Sequence, residues 1–194
     1  MAEGTRERLL EVGLMQMRSV GYGAAGMKEL LDEAGIPKGS FYHYFPSKEA
    51  FGKAVLESYG AGEMARWQRI VLEGKGAPLK RLRRYFEDLI ATYGPQNKIS
   101  GCLMGGMSLE IADHSDTIQA ALKHAFAGWR QGLASLLEEA MERGDLARSA
   151  KPDELAGLLL DAYEGALLRA KAERSNAPLE NFLKLAFGTL LVKP

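Results

Sequence analysis

The sequence predicts an all-α protein in two parts, a small N-terminal module of three helices and a longer helical domain behind it. Apolar residues recur at three- and four-residue spacing along most of the chain, the period of a helix with one buried face. No segment alternates apolar and polar residues as a half-buried strand does. Gly or Pro stands at the end of most periodic runs, where helices stop and start. The 194 residues, 46% hydrophobic and 26% charged, suit a globular protein with a sizeable core.

Taken in order, Leu9, Leu10, Gly13, Leu14, Met17 and Val20 share one face of a helix from about Thr5 to Val20. Gly21-Tyr22-Gly23 breaks it. Met27, Leu30, Leu31 and Ala34 form a second, short helix that ends at Gly35, the residue type favoured for a left-handed stop. A tight turn follows, Pro37 opens a third helix over Lys38 to Tyr44, and Pro46 stops it. Two short helices joined by a tight Gly-containing turn behind a supporting helix make a helix-turn-helix, whose second short helix can enter a major groove.

The chemistry of that third helix agrees. Ile36 to Lys48 contains no Asp or Glu, while Lys38 and Lys48 flank Ser40, Tyr42, His43 and Tyr44, all able to hydrogen-bond phosphates or base edges. Gly39 lets backbone come close to DNA, and Lys28 on the second helix completes the expected DNA-contacting set. Charge must be read locally here. The net charge is +0, and even the first fifty residues are not basic, because Glu3, Glu7, Glu11, Glu29, Asp32, Glu33 and Glu49 slightly outnumber the Lys and Arg.

From Gly21-Tyr22-Gly23 through Leu30 to Phe45 and on to Ser47-Lys48-Glu49-Ala50-Phe51, the first quarter of the chain resembles the N-terminal domain of TetR-type transcriptional repressors. One departure is visible: Ala25-Gly26 stands where the family usually places Ser or Thr, and Gly is a tolerated N-cap. The resemblance implies a DNA-binding regulator, a repressor, with double-stranded operator DNA as its partner.

Past Lys48 the pattern stays helical. Ser47 caps a helix that runs through Ala54, Val55 and Tyr59 into Trp67. A turn at Gly74 to Pro78 precedes a helix from Leu79 to Tyr93, broken at Gly94-Pro95. Gly101 to Ala112 reads as an interrupted helix, a long one runs from about Asp116 to Arg143 and ends at Gly144, Pro152 opens another to about Arg174, and Pro178 to Leu191 is the last. Domains are therefore expected at 1–48 for the helix-turn-helix and 49–194 for effector binding and dimerisation. Leu155, Leu158, Leu159, Ala162, Ala166 and Leu167, with Leu179, Leu183, Ala186, Phe187 and Leu190, make the last two helices more apolar than one buried side needs. They fill a single-chain core or pack against a twin, and the resemblance favours a homodimer through these helices, with two recognition helices about 34 Å apart on a palindrome.

The lone Cys102, set in Ser100-Gly101-Cys102-Leu103-Met104-Gly105-Gly106, reads either as a small buried hydrophobe or as a sensor thiol with backbone N–H groups facing a thiolate. Ile99 to Leu103, with Leu168 to Ser175 and Pro178-Leu179-Glu180-Asn181, resembles the ligand domain of the NemR-type subfamily, repressors that respond to reactive electrophiles and oxidants. That resemblance assigns the reactive cysteine to Cys102 and a nearby lysine to Lys171. Met104, Gly105, Gly106 and Met107 are closer to acrylate-responsive relatives, so the inducer is a reactive electrophile or a reversibly bound small acid or ester. Phe86, Tyr93, Met107, Phe126, Trp129 and Tyr163 are the candidate lining of an effector pocket, or simply core.

An enzyme is the rival class, with Cys102 as nucleophile and His114 or His124 as base. His43, His114 and His124 lie far apart with no paired-ligand spacing, so no metal and no cofactor are expected, and Gly74-Lys75-Gly76 lacks the context of a phosphate loop. A helical adaptor that binds only protein would account for the apolar C-terminal helices but not for the acid-free segment. No apolar run approaches the roughly 18 residues that span a membrane and no signal segment opens the chain, so no membrane association and a cytoplasmic location are expected.

Overall fold

The computed structural model describes residues 2–97, 101–147, 149 and 151–192, which include no strand; Ile99 and Ser100, quoted in the resemblance, lie outside them. In chain order the helices are α1 (Ala2–Val20), α2 (Met27–Ala34), α3 (Lys38–Tyr44), α4 (Lys48–Trp67), α5 (Pro78–Tyr93), α6 (Leu103–Glu110), α7 (Asp116–Glu142), α8 (Pro152–Glu173) and α9 (Ala177–Leu185). A 3₁₀ turn at Ala112–His114 precedes α7, and π-helical turns at Gln68–Leu72 and Ala186–Leu190 follow α4 and α9. The chain divides into two compact units, Met1–Glu63 with Cys102–Ala125, and Met64–Gly101 with Phe126–Pro194. The expected helix-turn-helix over 1–48 lies within the first unit, together with α6 and the start of α7.

The first unit is built around three phenylalanines. Phe41 meets Phe51 edge-on with ring centroids 5.3 Å apart, and Phe45 meets Phe51 at 4.9 Å, an arrangement favoured by the ring quadrupoles. Helix α1 reaches them because Gly13 has no side chain: a Cβ there would fall 2.4 Å from the Phe51 ring. Leu9, Val12 and Met17 of α1 and Leu30 and Leu31 of α2 close the core. Val20, expected on the α1 stripe, is instead 56% exposed, and Val12 takes a core place. Val20 is the last residue of α1, and the turn at Gly21 carries the chain away before its side chain can be covered.

Local signals account for the helix ends. Gly35 terminates α2 at φ 70, ψ 32, where a Cβ would be strained, and its N–H bonds back to Asp32 O. Gly26 is the N-cap of α2 with extended backbone and no side-chain cap. Pro37 stands just outside α3, and its carbonyl accepts the Ser40 N–H at 2.9 Å. Ser47 Oγ accepts the Ala50 N–H at 3.0 Å and caps α4.

In the second unit, Leu82, Phe86, Leu89, Leu133, Leu137, Leu159, Tyr163, Leu167, Leu179 and Phe182 form the core. Arg81 is buried, with one guanidinium nitrogen donating to Val71 O at 2.7 Å and the other paired to Glu139, so its charge is compensated. The last helix is shorter than expected: its α-helical part ends at Leu185, and the winding then widens so that the Leu191 N–H bonds Ala186 O, five residues back. Of the apolar residues on α8, α9 and the π-helical turn that follows, Leu159, Leu167, Leu179 and Ala186 are buried within the chain. Leu158, Leu168, Leu185 and Leu190 are exposed.

Candidate DNA-reading face and effector site

Helix α3 is split between two environments. Phe41 is buried while its neighbour Tyr42 is 59% exposed, so one face anchors the helix and the other is available to a partner. His43 and Gly39 are exposed with Tyr42, and no atom lies within 4 Å of where a Gly39 Cβ would be. Ser40 and Tyr44 are half-buried, and the Tyr44 ring lies edge-on to His43 at 5.6 Å. Lys28 is exposed on α2. The Lys38 backbone opens α3, and its side chain lies outside the described part of the structure.

Lys48 is more constrained than the sequence suggests. Its ammonium donates to Gly23 O at 3.1 Å and sits 5.1 Å over the Tyr22 ring. An ammonium has three N–H donors, so capacity for a phosphate is left. Tyr22 itself is buried, its ring packed where a Cβ on Gly52 would fall 2.5 Å away. That burial, and secondarily the charge of Glu49, pushes the Tyr22 phenol above the ordinary tyrosine range. One cation escaped the sequence reading. Arg6, exposed on α1, holds its guanidinium 5.5 Å over the Phe45 ring at the end of α3. Nothing in the apolar periodicity of α1 could have paired it with a residue 39 positions on.

Cys102 is the N-cap residue of α6, in extended backbone at φ −83, ψ 133, and is partly exposed. Its sulfur lies 3.7 Å from the hydroxyl of Tyr59, a buried residue of α4. The first N–H groups of α6 have no partner within the helix, and the Cys102 side chain makes no cap hydrogen bond to them. Met107 is buried in the same helix. At the far end of α6, Glu110 Oε2 accepts the Gly23 N–H at 2.9 Å. In the second unit, a Cβ on Gly101 would stand 3.6 Å from Lys171 Nζ.

The second unit brings three of the six candidate lining residues together. Phe86 and Tyr163 have centroids 5.5 Å apart, and Trp129 lies edge-on to Tyr163 at 5.9 Å. Phe182, which the sequence reading did not include, completes the cluster at 4.9 Å from Phe86 and 5.8 Å from Tyr163. The Trp129 indole N–H is buried with no hydrogen-bond partner among the described residues, a feature that polar atoms in a core seldom show. Tyr93 is buried beneath the Arg66 guanidinium, and Phe126 is half-buried. Met107 belongs to the other unit. Among the described residues no group of His, Cys, Asp or Glu could hold a metal ion, and no helix is long and apolar enough to cross a membrane.

Comparison with known proteins adds to this geometry. Residues 9–55 match the family described as bacterial regulatory proteins, tetR family, and residues 78–186 match the tetracyclin repressor-like C-terminal domain. The chain is 34% identical over 186 residues to the HTH-type transcriptional repressor DhaR of Mycobacterium sp. (strain GP1), covering 96% of this chain and 92% of that protein. It is 37% identical over 179 residues to the HTH-type transcriptional repressor NemR of Escherichia coli (strain K12), covering 92% and 90%. The crystal structure of the reduced form of E. coli NemR superposes with a TM-score of 0.86 at 36% identity over 97% of both chains.

Proposed function

The chain belongs to the tetR family of bacterial regulatory proteins, and from that premise we propose that it is a homodimeric repressor released from a palindromic operator when a small electrophile or oxidant reacts at Cys102. Membership itself is plain: the relatives are transcriptional repressors and not enzymes, so this is a TetR-family transcriptional regulator, and the reading of Cys102 as an enzyme nucleophile is set aside.

The single observation that carries the DNA half is the division of α3, with Phe41 buried and Tyr42, His43 and Gly39 turned outward on a segment free of acids. Lys28, Lys38, Ser40, Tyr44, Lys48 and Arg6 complete the proposed DNA-contacting set. Phosphate contacts from the cations set register, and Tyr42 and His43 are placed to reach base edges. Homodimerisation is supported by the exposed leucines of α8 and α9, which a twin would cover.

The effector half rests on the place of Cys102 at the start of α6 beside the Tyr59 hydroxyl, and on the likeness to NemR. Addition of the thiolate to an activated alkene forms an S–C bond, and solvent protonates the resulting carbanion. Lys171 stays in the proposed sensing set on the strength of the resemblance and of its place against Gly101. The Phe86, Trp129, Tyr163 and Phe182 cluster, with the unpartnered Trp129 N–H, favours a second reading in which a small acid or ester binds reversibly there. Tyr93, Met107 and Phe126 are kept as outer members of that effector set.

The test is operator affinity before and after treatment with N-ethylmaleimide, in the unmodified chain and in Cys102→Ser. Because Cys102 is the sole cysteine, the reagent has one thiol target. The proposal expects affinity to fall about 5- to 150-fold on treatment of the unmodified chain only. Specific binding that ignores the reagent in both proteins overturns the cysteine switch and moves the effector to the aromatic cluster.

A further inference from the structure

The turn between α1 and α2 is shaped around one carboxylate. Glu110, the last residue of α6, accepts the Gly23 N–H at 2.9 Å. Gly21 has φ +89, a conformation that L side chains rarely adopt, and a Cβ there would fall 2.4 Å from Glu110 Oε1. At Gly23 a Cβ would lie 3.5 Å from Oε2. Gly21 thus leaves the space that the carboxylate fills, while a Cβ at Gly23 would meet it only at ordinary contact distance. Lys48 donates to the carbonyl of the same residue at 3.1 Å, so Gly23 is gripped at its N–H from α6 and at its C=O from α4. The preceding residue, Tyr22, is buried in the core of the unit.

Helix α6 therefore has Cys102 at one end and this grip at the other. The geometry points to Glu110 as the positioning residue of the DNA-reading module: its carboxylate sets the Gly23 peptide, and through it the start of α2, in the arrangement that binds operator. A shift of α6 that begins at Cys102 reaches the module by withdrawing this acceptor. A short helix is stiff enough to move as a unit, and loss of one acceptor leaves the Gly23 N–H without its bond. This transmission step rests on the proposed role of Cys102, while the positioning role of Glu110 does not.

The experiment compares the unmodified chain, Glu110→Ala and Glu110→Gln by amide hydrogen exchange over residues 18–27 and by operator affinity, each before and after N-ethylmaleimide. Glu110→Ala is expected to speed exchange at Gly23 about tenfold or more and to weaken operator binding about fivefold or more. Glu110→Gln, whose amide oxygen can accept the same N–H, restores both; a residue needed only for folding would show itself by a lower unfolding temperature instead. The reagent should speed exchange in the unmodified chain and add nothing in Glu110→Ala. Unchanged Gly23 exchange and operator affinity in Glu110→Ala would overturn the proposal. Expected behaviour of both variants, with no effect of the reagent on the unmodified chain, would uphold Glu110 as the positioning residue and overturn the Cys102 reading alone.

Discussion

Tyr22 shows how a residue that carries no catalytic or DNA-contacting role still leaves a measurable trace. Its ring is buried, Lys48 lies over it, and burial together with Glu49 holds the phenol neutral. The folded chain therefore keeps the phenolic proton at a pH where the unfolded chain, titrating near about 10, has lost it. The stability this contributes is intact below about pH 10 and is lost as pH rises above it. Thermal unfolding of the unmodified chain should fall more steeply than that of Tyr22→Phe between about pH 9 and about pH 11. Parallel curves would mean that the phenol is solvated in the folded state. Arg6 and Glu110 belong to the same scale: each acts through one contact with a residue far along the chain, Phe45 and Gly23 respectively.

At the scale of helices, α3 combines an anchored face with an approachable one, and Gly39 lies on the second. Alanine fits there without touching another atom within 4 Å, and a glycine inside a helix costs backbone entropy. Gly39→Ala should therefore stabilise the chain to urea by about 0.4–1 kcal/mol while weakening operator binding, because the added methyl stands between backbone and phosphate. A variant that gains stability and keeps full operator affinity would remove Gly39 from the DNA-facing set. Legibility follows the same division between local and distant causes. The end of α2 at Gly35, the cap at Ser47 and the start of α8 at Pro152 were readable because each is decided by the residue itself and its nearest neighbours. The place of Phe182 in the aromatic cluster and the partner of Glu110 were not, since each depends on where another segment comes to lie. Cys102 was legible as a residue of interest, and its contact with Tyr59 was not.

For the molecule as a whole, a net charge of +0 gives no bulk attraction to nucleic acid, so DNA affinity has to come from the local face and from pairing two copies of it. Each exposed leucine on α8 and α9 leaves a large apolar side chain in water that a symmetric partner would cover. Leu158→Glu with Leu185→Glu should convert the dimer to a monomer in sedimentation, with helicity retained, and should weaken operator binding because each recognition helix then binds alone. Dimers that persist in this variant would place the interface elsewhere. The central claim is that α3 reads a specific operator, and it is tested most directly by anisotropy at one fixed salt concentration, using DNA flanking the protein's own gene, a shuffled fragment, and the Tyr42→Ala variant beside the unmodified chain. The account predicts two protomers on a flanking fragment, bound about 1,000-fold or more tighter than the shuffled one, with that preference lost in Tyr42→Ala; equal affinity for flanking and shuffled DNA would contradict it.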